Sequence, residues 1–397
     1  MRVACVGGGP AGLYFAILMK ARDEANEVTV FERNPAGVTY GWGVVFWDDL
    51  LDELRATDAE AAHEISANAF QWNGELLAVE GRDPVRVEER GYAIGRRHLL
   101  ELLLGRARAL GVDVRFDCTI ERASQSGGAD LVVACDGAGS RLREHDRHRF
   151  GTRLRVGRNR YIWLGTDKVF DAFTFGFVET TAGWIWCHAY GFDEGASTFI
   201  VECAPETWTA VGFDQLGQDQ TLRRLEHLFA SYLDGHRLRS SRQADGRADW
   251  LNFRTVTNEV WHHENVVLMG DAAHTTHFTI GSGTKLALED AIALAGKLDG
   301  GLPLKAALAA YGAERRRALG PAQADARFSA NWFESVPRYI KLDPVRLFAL
   351  LHERRSPLVP WIAPDAYYLL HRATREIPAL RQLRRWAAPH IKALYGR

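Results

Sequence analysis

Arg2-Val-Ala-Cys-Val6, Gly7-Gly-Gly9-Pro10-Ala11-Gly12 and, farther on, Glu27-Val-Thr-Val-Phe-Glu32 decide the fold between them. The first five residues are a short apolar run of strand type. The glycines make a tight turn, and the apolar residues after them continue as a helix to about Arg22. A second strand then ends in an acid twenty positions after Gly12. In that context each residue has a task. Gly7 allows the turn, Gly9 lets backbone approach a pyrophosphate, Gly12 lets the helix pack on the strand, and Glu32 takes ribose hydroxyls. Pro10, Ala11 and Arg33 lie beside these and are read as further dinucleotide contacts. A lone Gly-x-Gly-x-x-Gly is weak; strand, helix, strand and acid together are not.

Two later segments also end a buried strand in an acidic turn. Val266-Val-Leu-Met269 delivers Gly270-Asp271 to the carboxyl end of a strand, where a carboxylate can accept hydrogen bonds from a sugar-like chain. Gly281-Ser282-Gly283-Thr284 follows, with a helix from about Thr284. Its glycines permit close approach to a flat ring, and its free amides and dipole aim positive potential at that ring. The stretch reads as flavin-binding. Ala129 to Arg143 repeats the strand and turn at Asp136-Gly137. Together these imply one non-covalent FAD, since neither glycine turn carries a histidine or cysteine in a recognisable attachment motif.

Between Tyr40 and Val45 the run Tyr-Gly-Trp42-Gly43-Val44-Val predicts a loop passing over the cofactor, with Gly43 and Val44 at the flavin and Trp42 at the substrate. A core tryptophan between two turns is the plainer alternative. Arg96 opens a helix that continues through Leu99, Leu100, Leu103 and Leu104.

At 397 residues the chain is long enough for roughly two to three domains and a large core. Its 49 basic and 50 acidic residues leave no net field to gather nucleic acid or anionic membrane. The five cysteines are scattered, mostly inside apolar strands, and lack metal spacing; they read as core residues of a reducing, cytoplasmic compartment, and no metal is expected. No window reaches the ~20 apolar residues of a membrane span, and Met1-Arg2 runs straight into the first strand without a signal sequence.

The cofactor motifs lie near residues 7, 136 and 271, so one α/β, Rossmann-like domain of glutathione-reductase type must be assembled from separated segments. We assign 1–75, 90–150 and 255–325 to it. Residues 76–89 and 151–254 are read as an inserted antiparallel β-sheet substrate domain, because Tyr161-Ile-Trp-Leu-Gly, Phe173-Thr-Phe-Gly-Phe-Val, Trp184-Ile-Trp-Cys-His-Ala-Tyr and Ser197-Thr-Phe-Ile-Val-Glu-Cys are aromatic and β-branched. A helix over Leu222 to Leu233 is expected to cover one face. Residues 326–397 form a helical capping region, its short helices broken by Pro337, Pro344, Pro357, Pro360, Pro364, Pro378 and Pro389.

The three glycine-rich turns together resemble the class A flavoprotein aromatic monooxygenases, the para-hydroxybenzoate hydroxylase group. There the Asp-Gly motif serves both FAD and the NAD(P)H pyrophosphate, and the arginine at the helix start, here Arg96, contacts FAD. Gly41-Trp-Gly-Val-Val-Phe, Tyr161-Ile-Trp-Leu-Gly-Thr, Phe170-Asp-Ala-Phe-Thr-Phe, His188-Ala-Tyr and the Gly270 to Asp290 stretch narrow the likeness. They resemble the branch of the salicylyl-CoA and 2-aminobenzoyl-CoA hydroxylases and, more distantly, the tryptophan-side hydroxylases of violacein synthesis. The resemblance implies transient NAD(P)H, in keeping with a single Gly-x-Gly-x-x-Gly, then dioxygen and hydroxylation through a flavin 4a-hydroperoxide in a dry pocket. Where the para-hydroxybenzoate hydroxylases carry a proline pair, this chain has His277-Phe278.

The implied substrate is an ortho-hydroxy- or ortho-aminobenzoyl thioester, hydroxylated at carbon 5, para to the donor group. A CoA tail, a carrier protein or neither accompanies the ring, and an indole or tryptophan-derived intermediate is the alternative. A flavin oxidase or reductase without oxygen insertion is the other class; a halogenase fits less well, because no Ile-Pro follows Trp184-Ile-Trp186. His277 is expected to be the main substrate-positioning group, an acceptor or base near the ring's donor, with His188 and Tyr190 behind it. Trp186 and Phe278 are expected to line the pocket, and Arg158 and Arg160 to meet an anionic tail. A monomer or homodimer is expected.

Overall fold

A computed structural model describes residues 1–241, 248–377 and Gln382. Two sheets organise it. The first has six strands in the order His262–His263, Val266–Leu268, Leu131–Ala134, Arg2–Val6, Glu27–Phe31 and Asp113–Arg115. All its pairings are parallel except the first. Its strands are nearly unbroken apolar runs because helices cover both faces of a parallel sheet. Pro10–Arg22 and Gly283–Asp299 pack together across it, contributing Tyr14, Phe15, Ile17, Leu288 and Leu294 to the core.

The second sheet runs Leu238–Ser240, Arg153–Thr166, Ala196–Cys203, Gly183–Asp193, Phe173–Thr180, Phe70–Val79, Val85–Gly95 and Gly43–Phe46, with Leu251–Thr257 also paired to Arg153–Thr166. It differs from the expected sheet in two ways. Phe70–Val79 pairs with Phe173–Thr180 in parallel, so the sheet is mixed. It also takes in 43–46, 70–75 and 90–95, residues the sequence reading gave to the cofactor domain. The hairpin arms of 70–95 are long enough to reach past the boundary suggested by the motifs, and Trp72, Val45, Ala93 and Tyr190 seal them in a small core of their own.

One face of this sheet lies under Gln218–Leu228 and Ala230–Leu233, which bury Leu225, Phe229 and Leu233 against Phe199 and Val201 as the pattern over Leu222 to Leu233 predicted. The other face carries Phe175, Phe177 and Trp186 and is closed by Trp332, Phe333 and the C-terminal helices Val336–Tyr339, Pro344–His352 and Pro364–Glu376. Helix Leu304–Phe333 runs unbroken through Pro321 and across the expected limit at 325. Pro337, Pro344 and Pro364 stand in the first turns of their helices, where a missing N–H costs nothing, so they start helices rather than break them. Pro378 and Pro389 lie outside the described residues. Four cysteines are buried and Cys118 is half-buried; all are free. Among the described residues no helix is long and apolar enough to cross a membrane.

Candidate active site

At the carboxyl ends of the parallel strands the turn glycines separate by role. A Cβ on Gly12 would stand 2.1 Å from the Gly7 carbonyl oxygen, and one on Gly7, whose φ is +118°, would stand 2.3 Å from the Cys135 carbonyl oxygen. Both are required by the protein's own packing. Gly9 has nothing within 4 Å of such a Cβ. Its openness serves something other than the chain itself. Pro10 starts the helix, and Ala11 packs 3.2 Å from the Cβ position of Gly270, which turns with φ +60°.

A cleft of about 230 Å³ collects Gly7, Gly9, Glu32, Arg33, Arg96, Asp136 and Gly137. Glu32 is already engaged: one oxygen accepts the Gly8 N–H at 2.8 Å, the other the Asn34 backbone and side-chain N–H groups. Asp136 accepts the Arg141 N–H at 2.7 Å through Oδ2, while Oδ1 is sealed from water without a partner. Burial raises its pKa. Arg96 lies at the start of its helix, with its own N–H held by the Trp42 carbonyl at 2.7 Å and its Nε likewise sealed and unpartnered. Burial lowers its pKa, and the charges of Asp271 and Glu32 oppose that shift. Asp271 is exposed at the turn, and desolvation by the surrounding protein raises its pKa, with His274 and Arg96 acting the other way. A sealed donor and a sealed acceptor at the rim of an open glycine turn fit a dinucleotide, which brings phosphate oxygens and ribose hydroxyls.

The Gly270-Asp271 turn is held by residues that the sequence reading passed over. Asp290, wholly buried, accepts from the Gly270 N–H at 3.0 Å, His274 Nε2 at 2.8 Å and Arg315 Nε at 2.7 Å. Buried Arg143 spans the two acidic turns, donating to the carbonyls of Ala272 and Ala138. Asp290 stood in the quoted motif; Arg315, within Glu314-Arg-Arg-Arg317, looks like any exposed helix charge. Gly281 takes φ +65° and lies against Val45 and Trp47, so the Gly283–Asp299 helix start, with Ser282 as N-cap and Gly283 and Thr284 following, sits beside the 43–46 strand.

Other candidate residues have partners within the protein. Gly43 is committed to the sheet: its N–H goes to Thr198 Oγ1 at 2.8 Å and its carbonyl accepts the Tyr190 hydroxyl at 2.9 Å. Val44 is buried in the core. Tyr190 therefore anchors that strand, stacked on Phe173. Trp42 lies flat over Gly165, and Gly41 over Trp163, in a reciprocal glycine–tryptophan contact. Trp186 is sandwiched between Phe177 and Phe333. Arg158 pairs with Glu206 at 2.7 Å, and Arg160 binds Asn252 at 2.6 Å and lies over Trp208, so both have local partners.

His277 and His188 do come together, around Phe278, at ring distances of 4.4 and 5.5 Å. The group that sequence reasoning missed is Glu202. Only 1 % exposed, it accepts from Asn159 Nδ2 at 2.8 Å, Trp186 Nε1 at 3.1 Å and His188 Nε2 at 3.2 Å. Burial opposes its ionisation, but the hydrogen bond and charge of His188, with help from His277 and Asn159, outweigh it and hold the carboxyl below its ordinary range. An acid inside Thr-Phe-Ile-Val-Glu-Cys, apolar on both sides, was the available signal. His277 is driven down to about 4 by burial, against the pull of Glu202. Its Nδ1 meets Thr279 Oγ1 at 3.0 Å and the Thr279 N–H at 3.5 Å. At neutral pH it is therefore a neutral ring, with Nδ1 turned to Thr279. Although no metal was expected, Glu75, Glu89 and His352 offer ligand atoms within 4.8 Å of one another; Arg354 and Arg355 act on both carboxylates, so the protein supplies their countercharge.

Residues 1–323 match the FAD-binding domain family. Over 381 residues, 93 % of this chain and 72 % of the relative, the sequence is 39 % identical to a salicyloyl-CoA 5-hydroxylase of Streptomyces sp. It is 37 % identical over 338 residues, 85 % of this chain and 90 % of the relative, to the 3-hydroxy-4-methyl-anthranilyl-[aryl-carrier protein] 5-monooxygenase of Streptosporangium sibiricum. In fold it is similar to 2-methyl-3-hydroxypyridine-5-carboxylic acid oxygenase, at TM-score 0.66 and 20 % identity over 87 % of this chain and 97 % of that one. With a dinucleotide cleft whose sealed groups call for such a cofactor, the chain belongs to the FAD-binding-domain family and is an FAD-dependent aromatic monooxygenase.

Proposed function

We propose that the protein hydroxylates an ortho-hydroxy- or ortho-aminobenzoyl thioester at carbon 5, with NAD(P)H as reductant. The observation that carries this reading is the 39 % identity to a hydroxylase named for such a thioester, over 93 % of the chain and hence over cleft and sheet alike. The chemistry of the site agrees with it. Bound FAD, reduced, would supply activated oxygen from dioxygen. Gly9, in the turn that Gly7 and Gly12 shape, would hold its pyrophosphate with Arg96, Glu32 and Asp136 would meet hydroxyls, and Asp271 would meet the sugar-like chain. The amides at Gly281 to Thr284 would place positive potential at the ring. The second sheet, with Phe278, His277 and His188, would hold the arene, and its aromatic walls would keep water out.

Purified enzyme with FAD should oxidise NADPH rapidly only when 2-hydroxybenzoyl-CoA or 2-aminobenzoyl-CoA is added, yielding the 5-hydroxylated thioester in near-equal amount. NADPH oxidation without oxygenated product, for every thioester tried, would place the protein among flavin oxidases or reductases instead.

A further inference from the structure

His188 and His277 both pack on half-buried Phe278, yet the protein binds them by opposite nitrogens. Glu202 takes the Nε2 of His188. A carboxylate only accepts, so that nitrogen bears a proton, and in the neutral ring Nδ1 is then the acceptor. Asn159 and Trp186 donate to the same carboxylate and keep it fixed in the sheet face. In His277 the bound nitrogen is Nδ1, which faces the Thr279 hydroxyl at 3.0 Å and the Thr279 N–H at 3.5 Å; the backbone N–H can only donate, so Nδ1 is assigned as acceptor, and the Thr279 hydroxyl also meets Ser329 at 2.8 Å on the Leu304–Phe333 helix. His277 is neutral at pH 7, so its single N–H is at Nε2. Neither His188 Nδ1 nor His277 Nε2 has a hydrogen-bond partner among the described residues.

The structure assigns the two rings complementary free edges: an acceptor at His188 Nδ1, fixed by Glu202, and a donor at His277 Nε2, fixed by Thr279 and Ser329. Such a pair matches an arene that carries a hydrogen-bond donor on one ring carbon and an acyl oxygen on the next. The ortho hydroxyl or amine gives its hydrogen to His188, and the thioester carbonyl accepts from His277. This recognition step rests on the aryl-thioester reading; the edge assignment does not. It makes His188 and His277 specificity-determining residues and Glu202 a positioning residue that acts through His188. Tyr161, against Phe278, and Arg354, whose guanidinium lies over Phe175 and donates to the Thr279 carbonyl, pack here too; the packed elements also carry Tyr190, Arg254, Asp325 and Arg327.

Two measurements test it. Long-range proton–nitrogen NMR of protein labelled at histidine, with peaks assigned from His188→Gln and His277→Gln, should show both rings protonated at Nε2 alone at pH 7.5. A proton on Nδ1 of either ring overturns the edge assignment. Binding of CoA thioesters to the oxidised enzyme, without reductant, then reads the recognition. The 2-hydroxybenzoyl thioester should bind about 3- to 10-fold more tightly than the benzoyl one, and the 2-methoxybenzoyl thioester, which turns an acceptor toward His188, most weakly. Glu202→Gln should compress that ranking. His277→Ala should weaken all three alike, and His277→Gln, which keeps an N–H, should restore them. Equal affinity for the three in the parent overturns the recognition step. If none of them binds while the NMR pattern holds, the aryl-thioester reading fails and the edge assignment stands.

Discussion

Asp290 and Gly270 meet at 3.0 Å, carboxylate to backbone N–H, beneath the turn that presents Asp271. The same carboxylate holds His274 and Arg315, so a single buried charge fixes the turn, the loop after it and the Leu304–Phe333 helix. Removing one member of a buried ionic group leaves the others unpaired, at a cost of about 3–5 kcal/mol. Asp290→Ala should lower stability by that order, and FAD retention with it, as read from denaturant unfolding and flavin content. The Asp290 pKa is lowered in the fold by His274 and Arg315, which outweigh burial. Its stabilisation is therefore full above the ordinary carboxylate value and is lost as pH falls through the lower native one. The mutant should show a smaller stability loss than the parent in that acid range.

Gly9 and Gly12 provide a contrast within one turn. Gly12→Ala drives a Cβ into the Gly7 carbonyl and should destabilise even flavin-free protein by about 1–3 kcal/mol. Gly9→Ala meets no protein atom and has ordinary φ, so flavin-free protein should unfold as the parent does, with FAD affinity reduced at least about 10-fold. A melting temperature equally lowered in both would contradict the division of roles.

Arg96→Met should weaken FAD by about 1.5–3 kcal/mol, the usual worth of a charge-assisted hydrogen bond, without loss of secondary structure. Asp271→Ala should likewise weaken FAD. Equilibrium titration followed by flavin fluorescence measures both.

His277, neutral in the fold until about pH 4 but protonated in the unfolded chain below about 6.5, makes the unfolded state the better proton binder between those values. Stability should fall as pH drops through that window, by at most about 1.4 kcal/mol per pH unit. His277→Gln should flatten this part of the stability–pH curve. An unchanged slope would mean that the ring is not desolvated.

Arg158→Ala, which removes an exposed guanidinium already paired with Glu206, should change thioester affinity by less than about 2-fold. A loss of 10-fold or more would restore Arg158 as a tail contact.

The legible parts of the fold are those where local chemistry leaves little choice. Gly7 and Gly12 could be read because no other residue fits a positive φ or so close a backbone, and the Gly281 turn could be read for the same reason. Glu202 was harder, because a charge on a strand ordinarily faces water; its apolar flanks are a weak signal, and the cross-strand register opposite Trp186 shows that it faces inward. Arg315 was hidden by its neighbours: three arginines in a row look alike, though one is buried against Asp290. Gly43, between Trp42 and Val44, gives no local sign of its hydrogen-bond partners. These are Thr198 and Tyr190, some 150 residues away in sequence, and long-range pairing of that kind has no local signature.

The strand Gly43–Phe46, edged into the second sheet, and the glycine–tryptophan contact beside it carry a consequence for engineering. Trp42 rests on Gly165 and Gly41 on Trp163, while the Trp42 carbonyl holds the Arg96 N–H at the cofactor cleft. The second sheet is thus not a cassette. Grafting residues 151–254 from a relative with another substrate range would leave behind the hairpin of 70–95 and the strand that bolts the sheet to the cleft. A productive chimaera must exchange 40–46 and 70–95 in the same step, so altered substrate range by recombination needs three coordinated segment exchanges, whereas point changes around Phe278 need none.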